Sequence, residues 1–132
     1  MEMKCIVVTP ERTILDKPAT FVSLPLFDGE IGIAWNHSPL IGRLGTGELC
    51  IKNEQQSESY FISQGFVEVY QNVITLLTGH AIPASEITQD SADAARHAAE
   101  IKPKNSLVEV ELRNAALLKA QAMQRIVKKG KK

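Results

Sequence analysis

The chain has 132 residues, and its 15 Lys and Arg residues are balanced by 15 Asp and Glu residues. This balance gives no general case for a nucleic acid or an anionic membrane as the partner. No apolar run approaches the roughly 18–20 residues of a membrane span, and the start lacks the basic and apolar regions of a signal peptide, so we expect a soluble, unprocessed protein.

The two parts of the chain have opposite charge. Residues 1–86 contain 5 basic and 10 acidic residues, whereas residues 87–132 contain 10 basic and 5 acidic residues. Such a change in composition indicates a domain boundary near Ile87. We therefore predict one domain over 1–86 and a second over 87–132.

The first 80 or so residues show short apolar segments separated by turn residues, a pattern typical of an all-β sandwich or barrel. We predict a mainly β plus α protein in which about eight to ten short strands precede two helices. The candidate strands are Lys4 to Thr9, Arg12 to Ala19, Ala19 to Leu26, Glu30 to Ala34, Leu40 to Leu44, Gly47 to Asn53, Ser59 to Gln64, Phe66 to Tyr70 and Val73 to Gly79.

Cys5 and Cys50 both lie in predicted strands and are not accompanied by a second pair of metal ligands. Free cysteine behaves as a small apolar residue in a core. We expect two buried, reduced thiols without a chemical role.

The segment from Asp28 to Leu40 contains two glycines, two carboxylates and an Asn-His-Ser-Pro turn between apolar strands. Asp28-Gly29 predicts a hairpin with a primed turn, which needs positive φ angles. Gly32 within the next strand indicates a bulge or a close approach of another part of the chain. Pro39 restricts its neighbour, so His37 and Ser38 should lie on a defined turn.

The periodicity changes after Ser85, where either Ser85 or Thr88 can cap a helix rich in alanine. The run Lys102-Pro103-Lys104-Asn105 should end that helix, and Ser106 should begin another, with Glu109 at the capping-box position. We expect two short helices in an antiparallel hairpin. An apolar stripe on the second helix should face a partner and comprises Val108, Leu112, Ala115, Ala116, Ala120, Met123, Ile126 and Val127.

The segment from Asp28 to Leu40 resembles a pattern of the epsilon subunit of rotary F-type ATP synthases: (D/E)-G-(E/Q)-(L/I)-G-(I/V), two residues, then (G/N)-H-(A/S)-P-L. The resemblance covers roughly residues 4–87. Further matching segments, in the same order as in that family, are Val7 to Arg12, Gly47 to Leu49, Gly65 to Val69 and Asn72 to Leu77.

The resemblance implies a non-catalytic rotor subunit that couples proton transport to ATP synthesis and restrains ATP hydrolysis through its helical hairpin. It implies three protein partners: the gamma subunit, the membrane ring of c subunits, and the catalytic alpha and beta subunits. It implies no cofactor and only indirect membrane contact. The expected location is the cytoplasmic face of the bacterial inner membrane, with a plastid thylakoid less expected.

The resemblance also implies sites. Asp28, Glu30 and Ile31 would contact the ring, although an exposed turn carboxylate is the simpler interpretation of Glu30. His37, Ser38 and Pro39 would face the shaft or the ring, although His37 can instead hydrogen-bond its own turn. The basic residues expected to dock the hairpin on the catalytic subunits are Arg113, Lys119 and Arg125.

Some members of the family bind ATP through a motif (I/L)-D-x-x-R-A at the start of the first helix. The corresponding segment here is Ile87 to Ala92, with Thr88 in place of the Asp and Ser91 in place of the Arg. The charged pair that a phosphate site would use is therefore missing. We predict weak or absent nucleotide sensing and assign no nucleotide-binding, metal or catalytic residue.

The basic C-terminal segment, Lys128 to Lys132, is either a solvated tail or an electrostatic contact with the catalytic subunits. Two other classes of function stay open. A free-standing β-sandwich binding module with a helical dimerisation arm predicts a stable homodimer without affinity for a rotary shaft. A small hydrolase using His37 with Ser38 or Glu30 predicts activity of the purified chain, but a Ser next to its own base, before Pro, matches no recognised triad order.

Overall fold

A computed structural model describes residues 2–130. The chain forms two compact units that divide between Pro83 and Ala84. This division lies shortly before Ile87, where the charge changes sign. Among the described residues, the eight strands of the first unit are β1 (Met3–Val8), β2 (Thr13–Ala19), β3 (Phe21–Leu26), β4 (Gly29–Ala34), β5 (Leu40–Arg43), β6 (Thr46–Asn53), β7 (Gln56–Tyr70) and β8 (Val73–Pro83).

The strands follow the order β2-β1-β8-β7-β6-β3-β4, and β5 pairs with β7. Neighbouring pairs are antiparallel except β1 and β8, which run parallel. β7 pairs with β8 between Tyr60 and Tyr70 but changes its other partner: residues 56–63 pair with β6 and residues 66–69 pair with β5. One long strand thus contributes to two different groups of strands, as a sandwich requires.

The change of partner occurs at Gln64 and Gly65, whose φ angles are 62° and 130°. The buried hydroxyl of Thr78 on β8 lies 3.1 Å from the carbonyl oxygen of Ser63 and 2.8 Å from that of Gln64. Its proton therefore has two acceptors next to the point where β7 changes partner. Replacing Thr78 of β8 would remove that donor from the two carbonyl groups of β7.

The core lies between the strands and contains alternate residues of each. Its fully buried side chains include Val22, Leu24, Ile33, Leu49, Ile62, Ile74 and Leu76. All members of this apolar cluster precede Pro83. The first unit therefore has a core of its own.

The mainly β plus α fold class predicted from the sequence is confirmed, but three details are wrong. The separate strands predicted over Ser59 to Gln64 and Phe66 to Tyr70 are one strand, β7, because the unusual φ angles bend the ladder without ending it. The strand predicted to end at Gly79 continues to Pro83. Cys50 is half-exposed, with its sulfur 3.5 Å from the Ser57 hydroxyl, whereas Cys5 is buried as expected.

The second unit begins with one turn of 3₁₀ helix, Ala84–Glu86, followed by α1 (Gln89–Glu100) and α2 (Leu107–Gly130). The helices pack on each other, and α2, with 24 residues, is longer than the short helix predicted. Of the predicted basic tail, Lys128 and Lys129 belong to the last turn of α2, and the part beyond 130 lies outside the described residues. No helix within residues 2–130 combines the length and apolarity needed to cross a membrane.

The apolar stripe predicted on α2 is buried only toward its C-terminal end. Ala120, Ile126 and Val127 are buried, whereas Val108 and Leu112 are exposed. Residues 2–130 therefore do not cover the predicted stripe over the first two turns of α2, and a partner for those turns stays a prediction. Those turns present large apolar side chains to solvent.

Candidate functional site

The turn between β3 and β4 is formed by Phe27 and Asp28, since Leu26 pairs with Gly29. Neither turn residue has a positive φ, and Gly29 instead adopts a φ of 146°. The primed turn predicted at Asp28-Gly29 is therefore wrong, although the hairpin itself is present. The glycine is needed just after the turn, where the chain enters β4.

Phe27 is the most prominent side chain of this turn and is 70% exposed. The Arg43 guanidinium lies over its ring, 4.9 Å from the centroid, and the Phe27 amide donates a hydrogen bond of 2.8 Å to the Arg43 carbonyl oxygen. Cation–π and backbone contacts therefore both connect the turn to β5. Sequence reasoning missed Phe27, although a large aromatic residue beside Asp-Gly in a turn was a visible signal.

The acidic residues singled out from the sequence also lie at this turn. Asp28 and Glu30 are exposed, and Glu30 pairs across the hairpin with Pro25. Ile31, their neighbour, is half-buried and packs against the core. The exposed side chains of this turn are consequently Phe27, Asp28 and Glu30.

Gly32 in β4 lies under the ring of Phe21 on the neighbouring strand. A Cβ atom at Gly32 would lie 2.6 Å from Cζ of that ring. The β3–β4 register continues through Gly32 without a bulge, so a close approach, one of the two expected possibilities, explains this glycine.

The loop after β4 is held by a pair of asparagines. The backbone N–H of Asn36 donates a hydrogen bond of 2.7 Å to Oδ1 of Asn72, and Nδ2 of Asn72 donates one of 3.3 Å to Oδ1 of Asn36. Gln71 and Asn72 have φ angles of 48° and 64°, so the β7–β8 turn adopts the primed geometry that was expected elsewhere. The loop and the β7–β8 turn are thereby joined side by side.

His37, Ser38 and Pro39 follow in that loop. Nδ1 of the half-buried His37 lies 2.7 Å from the Ser38 carbonyl oxygen, not from the Ser38 hydroxyl. Ser38 and Pro39 are exposed. The imidazole therefore holds the turn, and no hydrogen bond among the described residues links it to a nucleophile or to Glu30.

Beside this loop, β5, β7 and β8 present an outer apolar face formed by Ile41, Phe66 and Leu77. These side chains are 79%, 60% and 53% exposed, respectively. Phe66 lies opposite Leu77 on one side and Arg43 on the other, while Ile41 lies opposite Glu68. Three large apolar groups on adjacent strands at the surface are typical of a protein-binding face.

The outer apolar face has a polar boundary on β1 and β2. Leu77 on β8 pairs with the half-buried Val8 on β1. Further along β1, the Lys4 ammonium lies 3.4 Å from the carboxylate of Asp16 on β2. On the other side, Pro39, Ile41 and Tyr70 are among the residues that line a shallow depression. The turn containing Pro39 therefore continues into the apolar face.

The start of α1 is capped by the side-chain hydroxyl groups of Thr88 and Ser91. Oγ1 of Thr88 accepts a hydrogen bond of 3.0 Å from the Ser91 amide, and Oγ of Ser91 accepts one of 3.0 Å from the Thr88 amide. This reciprocal capping box uses the two residues that replace Asp and Arg in the nucleotide motif. Both hydroxyls are already engaged with backbone groups of the helix start.

The basic residues predicted on α2 differ in accessibility. Arg125 is exposed, Lys119 is half-buried, and Arg113 is half-buried with an Nε atom that has no hydrogen-bond partner among residues 2–130. Sequence reasoning did not anticipate an exposed apolar group around the turn between the helices. Its members are Ile101, Leu107, Val108 and Leu112, and Leu118 is exposed further along α2.

Comparison with known proteins agrees with a β-sandwich in the first unit. A family model described as "ATP synthase, Delta/Epsilon chain, beta-sandwich domain" matches residues 2–84. The ATP synthase epsilon chain of Rhodopirellula baltica is 40% identical to this chain over 125 residues, covering 95% of this chain and 98% of that protein. This chain belongs to the ATP synthase epsilon chain family. The resemblance drawn from the sequence is thereby confirmed.

Two further comparisons extend over most of the chain. The ATP synthase epsilon chain of Desulfitobacterium hafniense strain Y51 is 38% identical over 120 residues, covering 91% of this chain and 90% of that protein. A chain in the solved OSCP/F1/c-ring structure of the Euglena gracilis mitochondrial ATP synthase matches with a TM-score of 0.85 at 22% identity. That alignment covers 94% of this chain and 80% of the Euglena chain. At this identity the structural match shows a shared fold.

Proposed function

We propose that the first unit joins the central shaft to the membrane ring and that the helical hairpin restrains ATP hydrolysis. The solved structure that matches this fold belongs to an assembly containing F1 and a c-ring. The observation that best supports the proposal is that the first unit exposes two surfaces of different character: the outer apolar face and the acidic, aromatic turn between β3 and β4.

The outer apolar face is the proposed contact with the gamma subunit. Ile41, Phe66 and Leu77 together expose apolar area whose burial would stabilise a complex by about 25 cal/mol per Å² before the costs of association. The neighbouring turn, with His37, Ser38 and Pro39, lies beside this face. We accordingly assign that turn to the shaft side.

The turn between β3 and β4 is the proposed contact with the ring. Phe27, Asp28 and Glu30 are exposed together, and carboxylates can form charge-assisted hydrogen bonds with Arg or Lys of a partner loop. The contact between Phe27 and Arg43 reduces the freedom of the turn before it binds. A turn that already holds its bound conformation loses less entropy on binding, which strengthens a contact that must transmit torque.

The hairpin is the proposed contact with the catalytic alpha and beta subunits. Its exposed apolar residues near the helix turn, with Arg125 and Lys119, offer both apolar and cationic contacts. In this function the chain lies on the cytoplasmic face of a bacterial inner membrane and is attached through the ring. A conformational equilibrium of the hairpin, biased by contacts in each state, would set the degree of inhibition.

The test uses an epsilon-free catalytic complex with its gamma subunit from the same source. The full chain and a truncation after Ser85, which retains the whole apolar core cluster, are compared for binding to the complex and for their effect on ATP hydrolysis. We expect both to bind and only the full chain to inhibit. A stable homodimer without binding to the complex would contradict the proposal and favour a free-standing binding module.

A further inference from the structure

The interface between α1 and α2 contains a polar network centred on Asp93. One carboxylate oxygen of Asp93 accepts two hydrogen bonds of 3.0 Å, one from the Gln89 side-chain amide on the same helix and one from the Gln124 side-chain amide on α2. Arg96 donates a hydrogen bond of 3.1 Å to Oε1 of Gln124 and lies 3.8 Å from the Glu100 carboxylate. Gln124 therefore donates to one residue of α1 and accepts from another.

The apolar part of the same interface is weak. The fully buried residues Ala92, Ala99 and Ala120 contribute single methyl groups. Alanine allows two helices to approach closely but buries little apolar area, so its contribution to holding them together is small. Apart from Ile126 and Val127 near the end of α2, the buried residues of α1 and α2 are alanines, so the hydrogen bonds of Gln124 add to an apolar contact made mostly of small side chains.

We propose that Asp93, Arg96 and Gln124 form a polar latch that holds α1 on α2 and sets how often the hairpin opens. The effect of this latch on ATP hydrolysis rests on the proposed inhibitory function, whereas the latch itself rests only on the contacts between the helices. Asp93 and Arg96 are exposed and Gln124 is half-buried, so water can reach the network and replace its hydrogen bonds. Opening therefore leaves no charge stranded in an apolar environment, so the latch can open and close reversibly.

Opening can be measured because α1 is too short to persist alone. An isolated helix of its length, 12 residues, is marginal in water even with many alanines. When α1 leaves α2, its amides between Ala94 and Glu100 should exchange with solvent. Hydrogen exchange of these amides in the full chain thus reports on opening without any partner protein.

We expect Gln124→Ala to raise exchange in α1 about fivefold, the effect of losing a net hydrogen-bond contribution of ordinary size. Asp93→Ala should raise it by at least a similar factor. The double variant should exchange less rapidly than the product of the single effects predicts, because the residues share one hydrogen bond. Exchange in β7 and β8 should be unchanged, which separates opening from general destabilisation.

Gln121→Ala is the matched control, since Gln121 is exposed on the same helix, close to Gln124 in sequence. An equal rise in exchange for this control, or no change in the two latch variants, would overturn the proposal. Each variant is then added to the epsilon-free complex, where a more open hairpin should inhibit hydrolysis more strongly. Faster exchange with unchanged inhibition would leave the latch established and would contradict the proposed regulatory function.

Discussion

A Cβ atom added to Gly65 would lie 1.9 Å from the carbonyl oxygen of Leu77 on the adjacent strand. Gly65 also has a φ of 130°, a backbone angle that residues with a side chain rarely adopt. Gly65 marks the place where β7 exchanges β6 for β5 as its neighbour, so the whole sandwich depends on this backbone geometry.

The first prediction concerns that residue. Gly65→Ala should lower the free energy of unfolding by about 3 kcal/mol or more, because backbone strain adds to steric overlap with the main chain of β8. Urea denaturation measures the effect. Gly79→Ala is the control, since a Cβ there would lie 3.8 Å from the Ser63 carbonyl oxygen and meets ordinary contact. Equal stability of the two variants would contradict this explanation of the bend in β7.

The outer apolar face supplies the second prediction. Phe66→Ser should weaken binding to the gamma subunit by about tenfold or more while changing stability little, since exposed side chains contribute little to the fold. Binding of labelled chain to the epsilon-free complex measures the loss. Ile101→Ser removes a similarly exposed apolar side chain from the hairpin and should leave gamma affinity unchanged. Comparable losses of affinity for both variants would contradict the assignment of Phe66 to the gamma contact.

A third prediction concerns Lys17 on β2 and Glu58 on β7, whose charged groups lie 2.5 Å apart. The hydrogen bond from Lys17 lowers the pKa of Glu58 below its ordinary value of 4.5, and the same bond raises the pKa of Lys17 above its ordinary value of 10.5. Stability from Glu58 is therefore present above about pH 4.5 and is lost as the pH falls through its folded pKa. Stability from Lys17 is present below about pH 10.5 and is lost as the pH rises through its folded pKa.

Glu58→Gln should accordingly destabilise the protein at pH 7 by less than about 1 kcal/mol, since both side chains are substantially exposed and screened. The difference from the unsubstituted protein should shrink at low pH, once Glu58 is protonated. Unfolding curves at pH 7 and near pH 3 provide the comparison. Asp16→Asn, at an exposed pair on the same strand with a longer separation of 3.4 Å, should have a smaller effect.

The two thiols give a fourth prediction. Burial raises the pKa of Cys5 to about 12, so at pH 8 this residue is almost entirely an inaccessible thiol. Cys50 is half-exposed. A thiol reagent at pH 8 should therefore modify one cysteine rapidly in the folded chain and two after unfolding. Cys50→Ser should abolish the rapid phase, and a rapid phase that persists in this variant would contradict the buried position of Cys5.

The sequence was sufficient to predict the fold class and the positions of most strands, because alternating burial and turn residues are local signals. It did not reveal that β7 is continuous through Gln64 and Gly65, since that depends on Thr78 and the backbone of β8. Phe27 and Phe66 were missed for a related reason: whether an aromatic residue is exposed depends on what packs over it. The resemblance directed attention to carboxylates and histidine, whereas the exposed apolar groups emerged only from the folded chain.

The last prediction concerns nucleotide binding. Similar subunits that bind ATP have Asp and Arg where this chain has Thr88 and Ser91, whose hydroxyls here close the start of α1. Neither hydroxyl supplies a charge for phosphate, so ATP at millimolar concentration should not protect the hairpin of the full chain from protease. Thr88→Asp combined with Ser91→Arg restores the charged pair and should confer measurable protection if those residues limit binding. Tight ATP binding by the unsubstituted chain, measured by calorimetry, would refute the prediction and would place a nucleotide site on residues other than this pair.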